Sequence, residues 1–274
     1  MAKPVKVAIN GAAGRMGREL VIACLRNEAL ALAAAFEAPG SEAIGRDAGR
    51  LAGADDAGVA VDSAADRGDR DFDVLVDFTR PEPCVEALDD CVAAGAAIVI
   101  GTTGFDDTQL ERIDAAAERI ALVMAPNFSA GVNLSLKLLE MAAKALGDSF
   151  DIEVLEAHHR HKVDAPSGTA LRMGEVLAEA TGRELSDCAV YARQGHTGER
   201  ERGTIGFQTL RGGDIVGEHT VLFAGDGERL EITHKASSRQ TFAGGAMRAA
   251  GWAASRPPGR YDMNDVLGIA ERAD

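Results

Sequence analysis

A short strand that runs into three evenly spaced glycines constrains this chain more than any other feature. Val5-Lys6-Val7-Ala8-Ile9 is rich in β-branched residues and passes directly into Asn10-Gly11-Ala12-Ala13-Gly14-Arg15-Met16-Gly17, after which helical periodicity runs from about residue 18 to 26. Strand, glycine loop and helix in that order make a phosphate-binding turn. Gly11 permits the tight turn, Gly14 lets the backbone approach a pyrophosphate, and Gly17 lets the helix pack closely on the strand. The spacing is GxxGxxG rather than GxGxxG, with the same mechanics. Glycines also merely end strands, so the loop needs a second signal. The next strand, 30–36, ends at Glu37, where a dinucleotide-binding fold places the acid that hydrogen-bonds the adenosine ribose. Together the two predict a nicotinamide dinucleotide site.

Residues 38–70 are poor in pattern and read as loops around one short strand near 58–61. Alternation then resumes, with strand 73–78, helix 83–94 closed by Gly95, strand 97–100, helix 107–119 and strand 121–125. This βαβ succession predicts an α/β, Rossmann-like domain whose parallel sheet carries helices on both faces. Ligands of such sheets bind beyond the carboxyl ends of the strands. The loops there are Thr79-Arg80-Pro81, Gly101-Thr102-Thr103-Gly104 and Pro126-Asn127-Phe128-Ser129. Their glycines and hydroxyls suit turns, but their place on one rim predicts cofactor contact for at least the last two.

A helix from 130 to about 146 follows, and the pattern then changes to strands at 151–157, 189–192, 203–210, 215–223 and 229–233. Arg211-Gly212-Gly213-Asp214 and Gly225-Asp226-Gly227 separate the last three, as turns between antiparallel neighbours would. A second, α+β domain with a mixed, largely antiparallel open sheet is expected. Thr241 to Ala254 reads as a helix, and it and the tail 261–270 are expected to pack on the first domain. The expected limits are 1–129 with 240–274 for a discontinuous dinucleotide-binding domain, and 130–239 for a substrate-binding and oligomerisation domain.

Chemistry concentrates in Glu156-Ala157-His158-His159-Arg160-His161-Lys162-Val163-Asp164-Ala165-Pro166-Ser167-Gly168-Thr169, which holds half of the six histidines. Val154 and Leu155 enter it like the end of a buried strand, and residues 170–178 leave it with helical periodicity. Ser167, Gly168 and Thr169 sit where that helix begins, and N–H groups there suit a carboxylate. Lys162, beside Arg160 and three imidazoles, is expected to find its charge disfavoured and so to serve as a proton donor. A basic run is usually a solvated face, and Ser-Gly-Thr is usually only a cap. Their adjacency points instead to a site for an anionic substrate. Metal binding by the three histidines ranks lower, because no cysteine or carboxylate lies at a familiar ligand spacing beside them.

The acidic balance of the chain makes this basic cluster informative. With 43 Asp and Glu against 29 Lys and Arg, the net charge is −14, which argues against nucleic acid and anionic membranes as partners. Hydrophobic residues make up 46% of the 274 positions, ample for packed cores. No apolar run approaches the roughly 20 residues of a membrane span. Cys24, Cys84, Cys91 and Cys188 show no paired metal spacing, and Met1-Ala2-Lys3-Pro4 leads into the first strand without an apolar signal segment. A cytoplasmic protein with free thiols is expected.

Over essentially its full length the chain resembles the 4-hydroxy-tetrahydrodipicolinate reductase (dihydrodipicolinate reductase) family. The residues that carry the resemblance are Gly11 to Gly17, Asp77-Phe78-Thr79-Arg80-Pro81, Gly101-Thr102-Thr103-Gly104-Phe105, Asn127-Phe128-Ser129-Ala130-Gly131-Val132-Asn133 and, above all, Glu156 to Ala170. The resemblance implies reduction of a cyclic dicarboxylate by NADH or NADPH on the diaminopimelate route to lysine. It places the cofactor on Gly11, Ala12, Ala13, Gly14, Arg15, Met16, Glu37, Gly101, Thr102, Thr103, Ala125, Pro126, Asn127 and Phe128. It places the substrate carboxylates on His159, Lys162, Gly168 and Thr169, and the acid–base work on His158 and Lys162, with no metal. It also implies a homotetramer built through the second domain's sheet.

One departure bears on the cofactor. Many bacterial members follow the ribose-binding acid with Arg, whereas Glu37 here precedes Ala38 and Pro39. Glu37 would repel a 2′-phosphate and Ala38 offers no compensating charge, so NADH is the expected preference, with Arg15 and Arg80 the residues able to reverse it. Two rivals have different signatures. Another two-domain dehydrogenase acting on a monoanion would not need so many cations, and an aldehyde-acylating one would need a positioned cysteine. A nonenzymatic dinucleotide sensor would not need both His158 and Lys162.

Overall fold

In the computed structural model, which describes residues 3–238 and 240–270, the chain divides into two compact units, residues 1–130 with 240–274 and residues 131–239. The outer limits expected at residues 1, 239 and 274 lie outside the described residues.

The first unit opens with β1 (Val5–Asn10), α1 (Arg15–Leu25) and β2 (Leu30–Glu37). The helix starts three residues before the expected position, because Gly14 already has the extended conformation of an N-cap. The stretch expected to be mostly loop holds more structure than its pattern suggests. It contains α2 (Ala48–Ala52), capped by the Asp47 side chain, β3 (Val61–Ser63) and a 3₁₀ turn over Ala64–Asp69. The strand expected near 58–61 is this β3, displaced toward the C-terminus. Then come β4 (Val74–Asp77), α3 (Pro81–Ala94), β5 (Ala97–Ile100), α4 (Asp107–Ala117) and β6 (Ala121–Met124). Pro81 lies in the first turn of α3, where its missing N–H costs nothing, and α3 ends at Gly95 with φ 68°.

The second unit runs α5 (Ala130–Leu146), β7 (Asp151–His158), α6 (Gly168–Ala180), α7 (Leu185–Cys188), β8 (Ala189–Val190), β9 (Ile205–Arg211), β10 (Gly217–Ala224) and β11 (Arg229–Ala236). The chain then returns to the first unit with α8 (Gln240–Ala253), β12 (Gly259–Tyr261) and α9 (Met263–Leu267).

The sheet of the first unit is parallel throughout, in the order β12-β6-β5-β4-β1-β2-β3. Alternation assigns its two faces. Val7, Ile9, Val74, Val76, Val99 and Val123 face α1 and the alanine-rich side of α8, whereas Ala8, Leu75, Ile98, Ile100 and Leu122 face α3 and α4. Each Ile, Val or Leu so buried contributes roughly 1.5–3 kcal/mol. The chain winds outward from β1 through β2 and β3, and in the other direction from β4 through β5 and β6. The order therefore reverses between β1 and β4, and the loops after those two strands flank the crevice where such sheets bind ligands.

The second sheet has the order β11-β10-β7-β9-β8. The β11–β10 and β10–β7 pairs are antiparallel, and the β7–β9 and β9–β8 pairs parallel. One expectation is corrected here. Residues 211–214 do not turn between adjacent strands, because β7 lies between β9 and β10. The turn instead crosses the carboxyl end of β7 and is bonded to it, with Gly212 N–H donating to His158 O at 2.9 Å and Arg160 N–H to Gly213 O at 3.3 Å. Helices α5 and α6 cover one face of the sheet over Ile152, Val154, Ile205, Phe207, Val221 and Phe223.

Candidate functional site

In the first unit, Asn10 ends β1 and the chain reverses at Gly11, with φ 72°. The Gly11 and Ala12 N–H groups donate to Phe36 O at 2.9 and 3.0 Å, tying the loop to β2. A Cβ on Gly17 would lie 2.0 Å from Gly11 O, which is the close helix–strand approach expected of the third glycine. Helix α1 has no side-chain cap and no acid in its first turn, whereas α2, α4 and α6 are all capped by their own side chains. Its first N–H groups, at Arg15 and Met16, have no intrahelical carbonyl, so this helix start suits a bound anion. Glu37 Oε1 accepts from Ala13 N–H at 2.8 Å, which sets the acid against the loop.

A buried acid joins the other rim loops. Asp77, fully buried at the end of β4, accepts from Asn10 Nδ2 at 2.6 Å, Thr79 N at 3.0 Å, Thr79 Oγ1 at 2.9 Å and Thr102 Oγ1 at 2.7 Å. It thereby links the ends of β1, β4 and β5. Arg67, only 4% exposed, extends the group through Asn10 Oδ1 and pairs with Asp90 at 2.7 Å. The sequence reading missed Arg67, since nothing in the pattern of 38–70 marks a buried side chain. Gly101 lies against the Phe78 ring, where a Cβ would come within 2.2 Å. Phe78 packs at 5.3 Å between ring centres on the buried Phe128, and Ala125 N–H donates to Ile100 O at 3.2 Å. The Gly11–Met16, Gly101–Thr103 and Ala125–Phe128 segments thus all stand at the carboxyl ends of strands of one parallel sheet.

In the second unit, β7 buries every other residue, placing Ile152, Val154, Glu156 and His158 on one face. Glu156 is 2% exposed and makes four polar contacts. Its Oε2 lies 2.6 Å from His158 Nδ1, Arg211 donates to both its oxygens at 2.8 Å, Ser167 N–H donates to Oε1 at 3.0 Å, and the strand register sets His219 opposite. Burial pushes the Glu156 carboxyl up, but Arg211, His158 and the Ser167 N–H together hold it below the usual range. An ionised carboxylate only accepts, so the contact makes His158 Nδ1 the donor.

Ser167 is the N-cap of α6, its hydroxyl accepting from Ala170 N–H at 3.2 Å and meeting His219 Nε2 at 3.0 Å. His219 packs edge-on against His158, with ring centres 5.1 Å apart. Burial first, and then His158, pull its pKa down to about 4. Gly168 and Thr169 form the first turn of α6, directly after the Ser167 cap. Gly168 is exposed, and a Cβ there would meet nothing within 4 Å.

Lys162 has an acidic neighbour that its place among cations does not announce. Its Nζ lies 2.8 Å from Asp164, an ammonium–carboxylate pair two residues apart in the loop. Asp164 in turn is held low by that contact. His159 stands beside His161, ring centres 6.2 Å apart, and its buried Nδ1 has no hydrogen-bond partner among the described residues. No three His, Cys, Asp or Glu side chains among the described residues are arranged to hold a metal ion. Among those residues no helix is long and apolar enough to cross a membrane. The four cysteines are buried and unpaired, and burial raises the pKa of the Cys24 thiol to about 12.

The sequence reading gave Glu156 and Arg211 no role. A signal for the first was present, since a Glu and a His two apart in a strand's buried series must share a face. No local signal marks Arg211, which arrives from a strand fifty-five residues on.

Comparison with known proteins gives consistent matches along the chain. The family model described as dihydrodipicolinate reductase, N-terminus, matches residues 5–128, and the one described as dihydrodipicolinate reductase, C-terminus, matches residues 131–267. The chain is 60% identical over 264 residues to the 4-hydroxy-tetrahydrodipicolinate reductase of Alkalilimnicola ehrlichii, a match that spans 96% of this chain and 99% of that one. Among solved structures it is similar to dipicolinate-bound dihydrodipicolinate reductase from Paenisporosarcina sp. TG-14. That likeness has a TM-score of 0.76 and 28% identity, and covers 98% of this chain and 100% of that one. A probable dehydrogenase from Thermotoga maritima shares the fold, with a TM-score of 0.61 and 11% identity over 97% of this chain and 93% of its own.

Proposed function

Because the chain belongs to the dihydrodipicolinate reductase family, we propose that it reduces 4-hydroxy-tetrahydrodipicolinate to tetrahydrodipicolinate with a reduced nicotinamide dinucleotide, on the diaminopimelate route to lysine. The observation that supports this reading is the loop from β7 to α6, in which His158, Lys162 and the first turn of α6 follow one another closely on a chain that is otherwise strongly acidic. Dipicolinate, bound by the Paenisporosarcina relative, is a planar ring with two carboxylates, and a cyclic dicarboxylate is the ligand class such a cationic site fits.

The reaction consumes one hydride and one proton and releases water from the 4-hydroxy substrate. The uncapped start of α1 and the loop braced by Glu37 fit a dinucleotide, which would be held by Gly11, Ala12, Ala13, Gly14, Arg15 and Met16, by Glu37 at the ribose, by Gly101, Thr102 and Thr103, and by Ala125, Pro126, Asn127 and Phe128. When bound, the cofactor supplies the hydride. His159, Lys162 and the N–H groups of Gly168 and Thr169 bind the substrate carboxylates. The exchange of protons falls to His158 at Nε2 and to Lys162 at Nζ.

We assign a preference for NADH over NADPH, because Glu37 is followed by Ala38 and no cation adjoins it in sequence. We also assign a cytoplasmic homotetramer joined through the sheet of the second unit, whose Leu210 and Leu230 are 59% and 41% exposed. The test is to follow NADH and NADPH oxidation in parallel, with substrate generated from pyruvate and aspartate semialdehyde by the preceding synthase. Synthase-dependent oxidation, faster at equal concentration with NADH, is expected. Faster oxidation with NADPH would overturn the preference and point to Arg15 and Arg80. No oxidation by folded protein would overturn the reaction itself and favour a dinucleotide sensor.

A further inference from the structure

Glu156 is a buried acid that the reaction as assigned leaves without a task. It touches His158 Nδ1 at 2.6 Å, and every other polar contact it makes is with a donor, namely two guanidinium N–H groups of Arg211 and the N–H of Ser167. A carboxylate so enclosed is costly to bury and is tolerated only with such partners. Arg211 is anchored in turn by the Asp164 carbonyl, to which it donates at 2.6 Å. On the far side of the imidazole, a Cβ on Gly217 would lie 3.0 Å from Nε2, so the residue there leaves that nitrogen room.

We propose that Glu156 is the positioning residue of the reaction: its carboxylate fixes the His158 proton on Nδ1 and so presents Nε2 as the exchanging atom, while Arg211 keeps Glu156 ionised. The inference rests on the assignment of acid–base work to His158. The charged and titratable groups around this ring are Glu156 on its own strand, His219 on β10 edge-on at 5.1 Å and Arg211 on β9 through Glu156, while Lys162 on the following loop acts on His219. His234 on β11 acts on His219. Glu156 is the group that meets the ring directly with an acceptor.

Glu156→Gln separates positioning from packing. The Oε1 position accepts from both Ser167 N–H and Arg211, so the amide oxygen belongs there, and the NH₂ falls against His158 Nδ1 and donates into it. The ring then carries its proton on Nε2. The experiment measures kcat and kcat/KM against pH for the wild type, Glu156→Gln, Glu156→Asp and His158→Gln, together with the ¹⁵N spectrum of imidazole-labelled protein. In Glu156→Gln we expect kcat to fall by about 100-fold or more. The ¹⁵N signals should show the proton transferred from Nδ1 to Nε2. Glu156→Asp should recover part of the rate and the wild-type tautomer. Loss of rate with an unchanged tautomer would overturn the proposal, as would wild-type kcat in Glu156→Gln. Should Glu156→Gln fail to fold, the wild-type spectrum decides, because a neutral His158 with its proton on Nε2 contradicts the assignment. Wild-type kcat in His158→Gln would remove the underlying acid–base assignment instead, a result distinct from either.

Discussion

Glu37 Oε1 accepts a 2.8 Å hydrogen bond from the Ala13 N–H, so the acid that ends β2 also braces the glycine loop that follows β1. The same carboxylate would receive the ribose hydroxyls of a dinucleotide and repel a 2′-phosphate.

The two tasks separate by substitution. Glu37→Gln keeps an oxygen for Ala13 and removes the charge, so its NADH to NADPH ratio of kcat/KM should shift toward NADPH by about tenfold, the equivalent of ~1.4 kcal/mol. Glu37→Ala also releases the loop and should raise KM for both cofactors. An unchanged ratio in Glu37→Gln would show that discrimination lies elsewhere.

Gly14 and Gly17 make different demands on the same loop. A Cβ on Gly17 would sit 2.0 Å from Gly11 O and 2.8 Å from Ala12 Cα, whereas on Gly14 it meets only Gly11 O, at 3.2 Å. Gly17→Ala should therefore destabilise the protein by about 3 kcal/mol. Gly14→Ala should cost about 1 kcal/mol or less yet weaken dinucleotide binding roughly tenfold or more, since its methyl enters the space left for the pyrophosphate. Urea unfolding and a fluorescence titration with NADH read the two effects. Undiminished binding by Gly14→Ala would deny the loop its role.

Asp77 holds Asn10, Thr79 and Thr102 together with no exposure to solvent. Asp77→Ala would strand those donors in a buried space, and a loss of about 3 kcal/mol is expected from denaturant unfolding, with Asp77→Asn losing less. A loss below about 1 kcal/mol in Asp77→Ala would mean that the three loops keep their places without it.

These cases also show which physics a sequence exposes. The parallel sheet was legible because β4, β5 and β6 are short apolar runs between helices with ordinary caps and stops, and the glycine loop because each glycine answers to local backbone geometry. Hairpin chemistry misled at residues 211–214, where the turn sequence is real but spans an intervening strand. Strand order depends on long-range pairing, which no four-residue window contains. The cationic loop was legible as composition, but its organisation was not. The sequence sets Lys162 among basic neighbours, and only the folded loop brings Asp164 to it. Arg211 reaches Glu156 only because β9 lies beside β7 in the sheet.

His219 couples the site to pH through stability. Burial, and then the nearby His158, lower its pKa from 6.5 to about 4. The native state therefore resists a proton that the unfolded chain accepts. Above about pH 6.5 neither state is protonated and His219 adds no pH dependence. As pH falls from about 6.5 to about 4, only the unfolded chain binds the proton, so stability declines, by up to about 3 kcal/mol. Below about pH 4 both states are protonated and the decline levels off. His219→Gln retains a polar partner for the Ser167 hydroxyl, which the imidazole meets at 3.0 Å, without the titration. Urea unfolding of both proteins across this range should give the variant a flatter profile, the wild type losing about 3 kcal/mol more between the two limits. Parallel profiles would show that His219 is protonated in the folded protein as readily as in the unfolded chain.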